Sequence, residues 1–574
     1  MIARAAALWR TPLGKILAAA LLLRLTGLFW GMPASDGWDD DGVAPRDFLP
    51  GLLMTYWPGH HYIYPPLQLL ILALATAPVW IAKLLVSPSF APEALVRGFI
   101  QVPTMTALAV LERATTAAMS LGLLWNVAKI GEDLRGSKRA GAWTAAAFGA
   151  NAVFTYYSQT SNLDVPYLFW AILALRGLIG SIVHRDLVRL GRVPVFAALA
   201  VATKDQAYAL FVLGIPFASV AWLFAGRDAR PPGGKIVRRL VSGSLLGLAL
   251  LLAIDGAAWN FTGFAARVHL LLGAASQDHA NYAKSWAGRG HVLRDSLLVF
   301  HEYYPWLFAP LVAGGILVAL RARDGARRAA GLVPFFFALS FTVAFNMTAR
   351  RTEHRFVLPQ MMMWGIYAGL AFDALQGRFE HARRWVPWSV AAFCFAAAIF
   401  RCAAVDAAMI LDPRYDAERW MRAHASPEDR VEVYGNDVHL PRLAWIRDLR
   451  RVDPSPIEGR NPIPGLVEVS DRFADVEARR PRFIVVPAFW AQKYLLDPAE
   501  KEREGRVLTP EEVRLRDDVD SRRYFEALRD GRLAYRLAHL STWESNLWPR
   551  IDIHASLTRD VWIFERDEAA PGPK

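Results

Sequence analysis

The stretch Ser35-Asp-Gly-Trp-Asp-Asp-Asp-Gly-Val43 places three adjacent carboxylates a few residues after the first hydrophobic span of the chain. Like charges this close raise one another's pKa and repel anionic lipid head groups. A membrane-surface loop that keeps Asp39, Asp40 and Asp41 is therefore expected to use at least one carboxylate to bind a cation or to take a proton. The alternative is a solvated loop whose acids only keep the segment out of the membrane.

The composition is that of a membrane protein with an added soluble part. Of the 574 residues, 54% are hydrophobic, with 21 Trp and 31 Phe. The net charge of +12 does not indicate nucleic acid as a partner, because excess Lys and Arg in such a chain mark cytoplasmic loops. Cys394 and Cys402 lie in one apolar segment and imply neither a disulfide framework nor a cysteine metal site.

Apolar runs long enough to span a bilayer occur throughout the first 405 residues. We predict an α-helical polytopic membrane domain over 1–405, with about thirteen transmembrane helices, and a soluble extracytoplasmic mixed α/β domain over 406–574. The predicted spans are 14–32, 65–83, 94–111, 113–128, 140–157, 166–182, a hairpin over 194–225, 240–258, 303–320, 331–348, 356–374 and 387–405.

Five clusters of Lys and Arg orient these spans, since positive charge marks the cytoplasmic side. All five fall on one side when thirteen crossings are counted, whereas omitting one weak span such as 94–111 reverses everything after it. The first outer loop 33–64, the loop 349–355 and the C-terminal domain then face outward. This predicts a multi-pass protein of the inner (plasma) membrane with a periplasmic C-terminal domain. The clusters lie within 129–139, 185–192, 227–239, 321–328 and 378–384.

Two further polar positions are predicted on the outer face. Asp164 follows the span 140–157, and taken alone it is best explained as a cap on the next helix. Lys204 lies in an apolar hairpin, where it needs a partner or a polar cavity. In the simpler interpretation Lys204 forms an ion pair with the adjacent Asp205. In the functional interpretation Lys204 contacts a bound phosphate.

The basic stretch 350–355 contains Arg350, Arg351, His354 and Arg355 and breaks the positive-inside pattern of the chain. Guanidinium groups bind phosphate bidentately, so an anionic ligand on the outer face explains it. Contact with anionic lipid head groups is the alternative.

The first outer loop also carries candidate polar contacts. His60, His61 and Tyr64 precede Pro65-Pro66, and the two histidines can take a proton or a metal, although their spacing matches no metal-ligand pattern. A stretch over 264–272 is amphipathic and is predicted to lie in the membrane interface. The glycosylation motifs at Asn260 and Asn346 are attributed to chance.

Several short motifs occur in a recognisable order. They are Asp40-Asp41 (or Asp39-Asp40), Tyr64-Pro-Pro-Leu67, Arg113 opening a span, Ser158-x5-Asp164, Thr203-Lys204, His354-Arg355-Phe-x-Leu-Pro359, Arg414-Tyr-Asp-Ala-Glu-Arg-Trp420 and Val561-Trp-Ile-Phe-Glu-Arg566. Together they resemble the membrane-embedded glycosyltransferases of the C superfamily (GT-C). The resemblance is greatest to the protein O-mannosyltransferase and lipid A aminoarabinose transferase branch, a group similar to glycosyltransferase family 39.

The resemblance implies an inverting transfer of a sugar from a polyprenyl-phosphate donor on the outer face. The acceptor hydroxyl would belong to a lipid, a glycan or a protein. No cofactor is assigned, and a divalent metal ion is left open, because some members of the family use one. Where the family shows Asp-Glu this chain has three Asp, so the register of the base stays open. The implied residues are a general base among Asp39, Asp40 and Asp41, an assisting acid Asp164, and donor-phosphate contacts from Lys204, Arg355, Arg351 and His354.

Two other classes of function remain as alternatives. A transporter or lipid flippase would use Lys204, Asp205 and Asp255 as coupling residues, but the sequence shows no inverted repeat. A non-catalytic receptor would use the outer domain to bind a partner.

Overall fold

The computed structural model describes residues 10–224, 233–273, 279–379, 385–459 and 465–567. The chain divides into two compact units, each described by itself below. The predicted spans and clusters that extend into 225–232 and 380–384, including Arg227, Arg230, Arg383 and Arg384, lie partly outside the described residues. The first unit contains Met1–Leu28, Asp47–Thr76 and Leu111–Val405; the second contains Phe29–Arg46, Ala77–Val110 and Asp406–Lys574.

Helices account for most of the described chain up to residue 424. Their bounds are Pro12–Leu25, Phe48–Tyr56, Leu67–Ala75, Ala77–Val86, Pro92–Phe99, Val102–Arg135, Lys138–Gly149, Ala152–Tyr157, Asp164–His184, Leu187–Val201, Tyr208–Phe224, Gly233–Ile254, Phe261–Leu272, Trp286–Leu298, Phe300–Tyr303, Phe308–Leu320, Gly325–Phe341, Met347–Ala349, His354–Arg378, Trp385–Ile410 and Pro413–His424.

The described helices make this a multi-pass membrane protein. Six are long and apolar enough to cross a bilayer, and two bent helix pairs raise the number to eight. The helix Gly233–Ile254 shows the lipid-facing pattern most clearly, because only 11% of its apolar window is buried within the protein. Val241, Leu245 and Leu248 on this helix are exposed. The predicted number of thirteen spans is not confirmed by these helices.

The prediction of separate spans at 94–111 and 113–128 is wrong, because Val102–Arg135 is one continuous helix of 34 residues. Pro103 does not interrupt this helix, since proline is tolerated in a first turn whose N–H groups have no intrahelical acceptor. The residues before it form the short, separate helix Pro92–Phe99. The chain therefore crosses the membrane one time fewer than predicted before the first basic cluster, which on its own would place that cluster outside.

The bent pair Leu67–Ala75 and Ala77–Val86 decides the sidedness of everything after it. Its two helices meet at 55°, the geometry of a broken span or of a re-entrant loop. If the pair does not cross, two crossings disappear instead of one, and all five basic clusters stay on the cytoplasmic side. We therefore expect residues 33–101 to lie entirely outside.

Cysteine labelling tests this topology. Ala91→Cys, at an exposed position, is expected to react with a membrane-impermeant maleimide added to intact cells. The native Cys394 and Cys402 are buried and give little background. Arg323→Cys in the exposed 321–328 cluster is the matched control, expected to react only after permeabilisation. Protection of Ala91→Cys in intact cells would show that the bent pair crosses the membrane.

The second unit is built around one six-stranded sheet. The strand order is β3-β2-β1-β4-β6-β5; β1 to β4 are parallel, and β6 is antiparallel to both β4 and β5. The strands are β1 Arg430–Val433, β2 Asp448–Asp453, β3 Val467–Ser470, β4 Phe483–Pro487, β5 Tyr535–Ser541 and β6 Val561–Arg566. The helices that accompany the strands are Val476–Arg479, Ala488–Tyr494, Pro498–Arg503, Pro510–Asp517 and Val519–Arg529.

Both faces of this sheet are covered, as the run of apolar residues in its central strand predicts. All five residues of β4 are buried. One buried cluster includes Ile484, Phe525 and Phe564, and a second includes Val485 and Met421. The side chains of neighbouring residues in β4 thus point to opposite faces, which gives the sheet a core on each side.

Candidate functional site

Asp40 of the first outer loop meets His439, which follows β1 in the second unit. The Asp40 Oδ2 and His439 Nε2 atoms are 3.5 Å apart, and 35% of the Asp40 side chain remains exposed. Burial raises the pKa of the Asp40 carboxyl, but the hydrogen bond from His439 and the electrostatic effects of His439 and His554 together leave that pKa below its usual value. Burial lowers the pKa of His439, which keeps its imidazole neutral. Asp40 is therefore an accessible, charged carboxylate.

Asp41 and Asp39 differ from Asp40 in their surroundings. The Asp41 Oδ2 atom lies 2.8 Å from Nε2 of His554, and 27% of the side chain is exposed. Asp39 is 4% exposed. The backbone N–H of Asp40 donates to Oγ of Ser556 at 3.0 Å. The segment before β6 thus holds the triple-Asp sequence in place, and Asp40 is the most accessible of the three carboxylates.

Trp38, two residues before Asp40, anchors this part of the loop. It is 1% exposed, and its Nε1–H donates to the carbonyl oxygen of Leu440 at 2.9 Å. The Arg414 guanidinium lies 4.1 Å from its ring and that of Arg442 5.3 Å. Arg414 in turn pairs with the buried Asp412 at 2.7 Å. The 414–420 motif therefore has a structural role in positioning the first outer loop.

In the first unit, Asp164 and Lys204 form a buried ion pair. The Lys204 Nζ donates to both carboxylate oxygens of Asp164, at 2.8 and 2.9 Å. The Asp164 side chain is fully buried and that of Lys204 is 13% exposed. The amide of Gln206 approaches the same carboxylate at 3.5 Å. The Lys204 ammonium is thus held beside the Asp164 carboxylate by two short hydrogen bonds.

This pair corrects two expectations. Asp164 is not a helix cap, because the helix Asp164–His184 begins at Asp164 itself and its N-cap residue is Leu163. Asp205 is not the partner of Lys204, because its carboxylate accepts from Arg267 at 2.5 Å. Sequence adjacency suggested the wrong carboxylate, since neighbouring residues at a bend present their side chains in different directions.

Three of the predicted phosphate-binding cations lie around one aromatic ring. Within the first unit, the Phe356 ring centroid is 5.9 Å from Nζ of Lys204, 4.5 Å from the guanidinium carbon of Arg351 and 4.8 Å from that of Arg355. Each contact is within the range of a cation–π interaction. The structure therefore brings together residues that are up to 151 positions apart in sequence.

Residues of the basic stretch also make polar contacts, both within the stretch and with residues before it in the chain. His354 pairs with Glu302 through Nε2. Arg351 pairs with Glu353 at 3.1 Å. Arg350 has a left-handed backbone with φ of 55°, and its guanidinium donates to the carbonyl oxygen of Tyr282 at 2.7 Å. Contacts from Tyr282 and Glu302 thus help to fix the conformation of this stretch.

Arg267, on the helix Phe261–Leu272, lies between two carboxylates, of which Asp255 directly follows the helix Gly233–Ile254. It contacts Asp205 at 2.5 Å and Asp255 at 3.5 Å. Burial raises the pKa of Asp255 to about 7, an increase that Arg267 only partly offsets. The Oδ1 atom of Asp255 is buried without a hydrogen-bond partner. Asp255 is therefore a proton-binding group near neutral pH, just outside the membrane-spanning helix.

The raised pKa of Asp255 makes stability depend on pH. Between its ordinary pKa of 3.8 and about 7 the folded protein binds a proton that the unfolded chain has lost. Stability is therefore expected to fall by about 4 kcal/mol as the pH rises through that window. Asp255→Asn is expected to reduce this decline and to leave the part that comes from Asp205, whose pKa burial also raises, measured as the apparent Tm in detergent between pH 4 and 8. The exposed Asp517→Asn is the control; the same decline in Asp255→Asn would assign it to another group.

The candidate contacts of the first outer loop are positioned by Asn260. Its amide donates to the carbonyl oxygens of Thr55 and His60, both at 2.8 Å, and its Oδ1 accepts from the N–H of Gly59 at 3.0 Å. A Cβ at Gly263 would lie 1.9 Å from the carbonyl oxygen of His60, so only glycine fits there. Asn260 is 2% exposed and therefore no glycosylation acceptor.

The predicted histidine and tyrosine contacts do not form a metal site. The side chain of His60 is exposed and packs edge-on to Trp57, with ring centroids 6.4 Å apart. His61 is half-buried, and the rings of Tyr64 and Tyr62 are 6.2 Å apart. Among the described residues there is no group of three or more His, Cys, Asp or Glu placed to bind a metal.

Known proteins resemble this chain in structure rather than in sequence. No protein-family model matches it, and no curated protein matches its sequence. The crystal structure of ArnT from Cupriavidus metallidurans in the apo state superposes with a TM-score of 0.50 over 98% of both chains, at 15% identity. The structure of ArnT bound to undecaprenyl phosphate gives the same TM-score over 98% of this chain and 99% of that one.

The chain has the ArnT fold. The likeness shows the fold alone, and it agrees with the fold that the sequence resemblance implies; the long apolar helices show the membrane-protein class. The archaeal oligosaccharyltransferase AglB from Archaeoglobus fulgidus matches at 12% identity over 96% of this chain and 88% of its own, with a TM-score of 0.43 that is too low to support an inference.

Sequence reasoning missed the residues that the C-terminal region contributes. His439 and His554 lie about 400 and 513 positions after their aspartates. Neither lies in a motif, and a single histidine among polar residues gives no signal of its partner. Arg267 lies in the stretch 264–272 that was predicted only to be amphipathic, although this residue connects Asp205 with Asp255.

Proposed function

We propose that the protein is a glycosyltransferase that transfers a sugar from a polyprenyl-phosphate donor to an acceptor hydroxyl on the outer face of the membrane that it spans. The observation that carries the proposal is the convergence of Lys204, Arg351 and Arg355 on Phe356, beside the buried Asp164. Three cations at one place suit a phosphate group, whose negative charge grows as it leaves. The ArnT structure with undecaprenyl phosphate supports the same ligand class.

The proposed reaction is a single displacement. The acceptor hydroxyl gives its proton to Asp40, with Asp41 as the second candidate base, and its oxygen bonds to the anomeric carbon. The bond from that carbon to the phosphate oxygen breaks, and polyprenyl phosphate leaves with inversion at carbon. Lys204 and Arg355 contact the phosphate, with Arg351 and His354 as further contacts. Asp164 acts as a positioning residue that holds the Lys204 ammonium.

The hydrogen bond from His439 suits Asp40 to the role of base. A general base must be deprotonated and must reach the proton that it removes. The lowered pKa of Asp40 satisfies the first requirement, and its partial exposure satisfies the second. Asp39 is buried and satisfies the second requirement poorly.

A transfer assay with the purified full chain tests this function. The protein in detergent is incubated with undecaprenyl-phosphate sugars and a cell-envelope extract as acceptor. Mass spectrometry should detect undecaprenyl phosphate released with formation of a glycosylated product. The Asp40→Asn/Asp41→Asn double variant is the control. If the native protein releases no more undecaprenyl phosphate than this variant does, with every donor offered, the proposal is wrong.

A further inference from the structure

Two arginines of the first basic cluster share one buried carboxylate in the first unit. The Nε atoms of Arg135 and Arg139 lie 3.1 and 2.8 Å from the two carboxylate oxygens of Asp373. The Asp373 side chain is 3% exposed, whereas those of Arg135 and Arg139 are 33% and 37% exposed. Because two guanidinium groups are matched by a single carboxylate, these three residues keep a net positive charge at an accessible position.

The basic cluster within 321–328 reaches the same place through Arg327. A Cβ at Gly136, the neighbour of Arg135, would lie 2.8 Å from Nη2 of Arg327, so this guanidinium lies directly against the connection between two helices. The Oδ2 atom of Asp324 is 3.9 Å from Nε of Arg327, which is beyond hydrogen-bonding distance, and Asp324 is 52% exposed. Such a pair neutralises little charge. Arg327 therefore adds a third guanidinium to the group.

A nitrogen without an acceptor points to an anion at this place. The Nε atom of Arg327 is buried, and it has no hydrogen-bond partner among the residues that the structure describes. Such atoms are rare in folded proteins, because each loses its hydration without compensation. A guanidinium nitrogen can only donate, so the missing partner is an acceptor. Phosphate oxygens are strong acceptors for guanidinium groups.

Tryptophan side chains place these cations at the depth of lipid head groups. The indole N–H of Trp143 donates to Oε1 of Gln376 at 2.8 Å, one helical turn after Asp373. The ring centroids of Trp143 and Trp388 are 5.6 Å apart, and Trp388 and Trp385 are both exposed. Tryptophan is enriched where the hydrocarbon core meets the head groups, because its ring is apolar and its N–H is polar. The cations beside these rings therefore lie where lipid phosphates lie.

This group of cations is separate from the proposed donor-phosphate contacts. Arg355 and Asp373 lie 18 positions apart on the helix His354–Arg378, which corresponds to roughly 27 Å at the rise of an α-helix. The hydrocarbon core of a bilayer is about 30 Å thick. The two groups of cations therefore face opposite leaflets. Since the basic clusters mark the cytoplasmic side, the group around Asp373 is expected in the cytoplasmic leaflet.

We propose that this group binds the phosphate of an anionic phospholipid in the cytoplasmic leaflet. Arg327 and Arg139 bind the phosphate oxygens, and the rings of Trp143 and Trp388 pack against the glycerol and the first part of the acyl chains. Basic pockets between membrane-spanning helices on this side are suited to anionic head groups. The bound lipid links the helix Gly325–Phe341 to the end of the helix before Gly136. It takes no part in the transfer of sugar.

Calorimetric titration of the full chain in a non-ionic detergent tests the site. Dioctanoyl phosphatidylglycerol is the probe, and dioctanoyl phosphatidylcholine, whose head group is neutral overall, is the comparison. Phosphatidylglycerol is expected to bind more tightly than phosphatidylcholine. Arg327→Gln is expected to weaken phosphatidylglycerol binding about 10-fold, because it removes a charge-assisted contact. Undecaprenyl phosphate binding by Arg327→Gln should equal that of the native chain, which shows that the variant is folded.

Arg328→Gln is the matched control for Arg327→Gln. It removes the same charge from the next residue of the same helix, whose Nε already donates to the carbonyl oxygen of Ala322 at 3.1 Å. Phosphatidylglycerol binding by this variant should equal that of the native chain. An equally large effect of both substitutions would assign the binding to diffuse surface charge and overturn the site.

Three further outcomes would overturn the proposal. Equal binding of the two phospholipids would show that the head-group charge is not recognised. Loss of phosphatidylglycerol binding in Arg355→Gln would place the lipid at the proposed donor-phosphate contacts. Displacement of phosphatidylglycerol by inorganic phosphate at constant ionic strength would show that the site takes a free anion instead of a lipid.

Discussion

Asp40→Asn is expected to lower the rate of sugar transfer by about 10²–10⁴-fold, the usual contribution of general base catalysis. The substitution keeps the shape of the side chain and removes the group that takes the proton. Undecaprenyl phosphate binding should be unchanged, because the phosphate contacts are assigned to other residues. Asp41→Asn should have a smaller effect, since the Asp41 carboxylate is engaged by His554 at 2.8 Å. Transfer rates measured by mass spectrometry and binding measured by calorimetry separate an effect on proton removal from an effect on undecaprenyl phosphate binding.

His439→Gln tests whether Asp40 acts as a base, because a merely structural role of Asp40 would not shift the pH–rate profile. The hydrogen bond from His439 keeps the pKa of Asp40 low, so its loss should raise that pKa. A base is lost as the pH falls through its pKa, and the acid limb of the pH–rate profile should therefore move to higher pH. Full activity in both Asp40→Asn and Asp41→Asn would show that neither residue is the base.

The ordered motifs and the long apolar runs predicted the fold. The predicted span boundaries were wrong where tertiary contacts compensate for polar residues inside a helix. The charged pair at Glu112 and Arg113 divided one apolar run into two predicted spans. Both residues are 1% exposed, and the Arg113 guanidinium donates to the carbonyl oxygens of Gly27 and Leu28. A hydropathy window cannot include such contacts, so it ended the span at a point where the helix continues.

The candidate site shows the same limit. Lys204 was identifiable from sequence, because a lysine in an apolar segment requires compensation. Its partner was not, because Asp164 is 40 positions away and Asp205 is adjacent. The sequence predicted that Lys204, Arg351 and Arg355 lie on the same face of the membrane, but it did not predict that all three contact the ring of Phe356. The roles of these residues and the two-domain division at 405 and 406 stay predictions.

Lys204→Met is expected to have the largest effect on stability, together with loss of undecaprenyl phosphate binding. It leaves the Asp164 carboxylate, which is fully buried, without its cation. Removing one partner of a buried ion pair costs about 3–5 kcal/mol, because the remaining charge has lost both water and counter-charge. The apparent Tm in detergent should fall accordingly. This result alone would not distinguish a structural lysine from one that binds phosphate.

The double variant Lys204→Met/Asp164→Asn makes that distinction. It removes the unpaired charge, so most of the lost stability should return, as replacing a whole buried ion pair is often nearly neutral. Undecaprenyl phosphate binding should not return, because the Lys204 ammonium that is proposed to contact the donor phosphate is still missing. Asp164→Asn alone keeps the ammonium and should retain binding. If the double variant recovers both stability and undecaprenyl phosphate binding, Lys204 serves only to neutralise Asp164, and the donor phosphate must be bound by Arg351 and Arg355 alone.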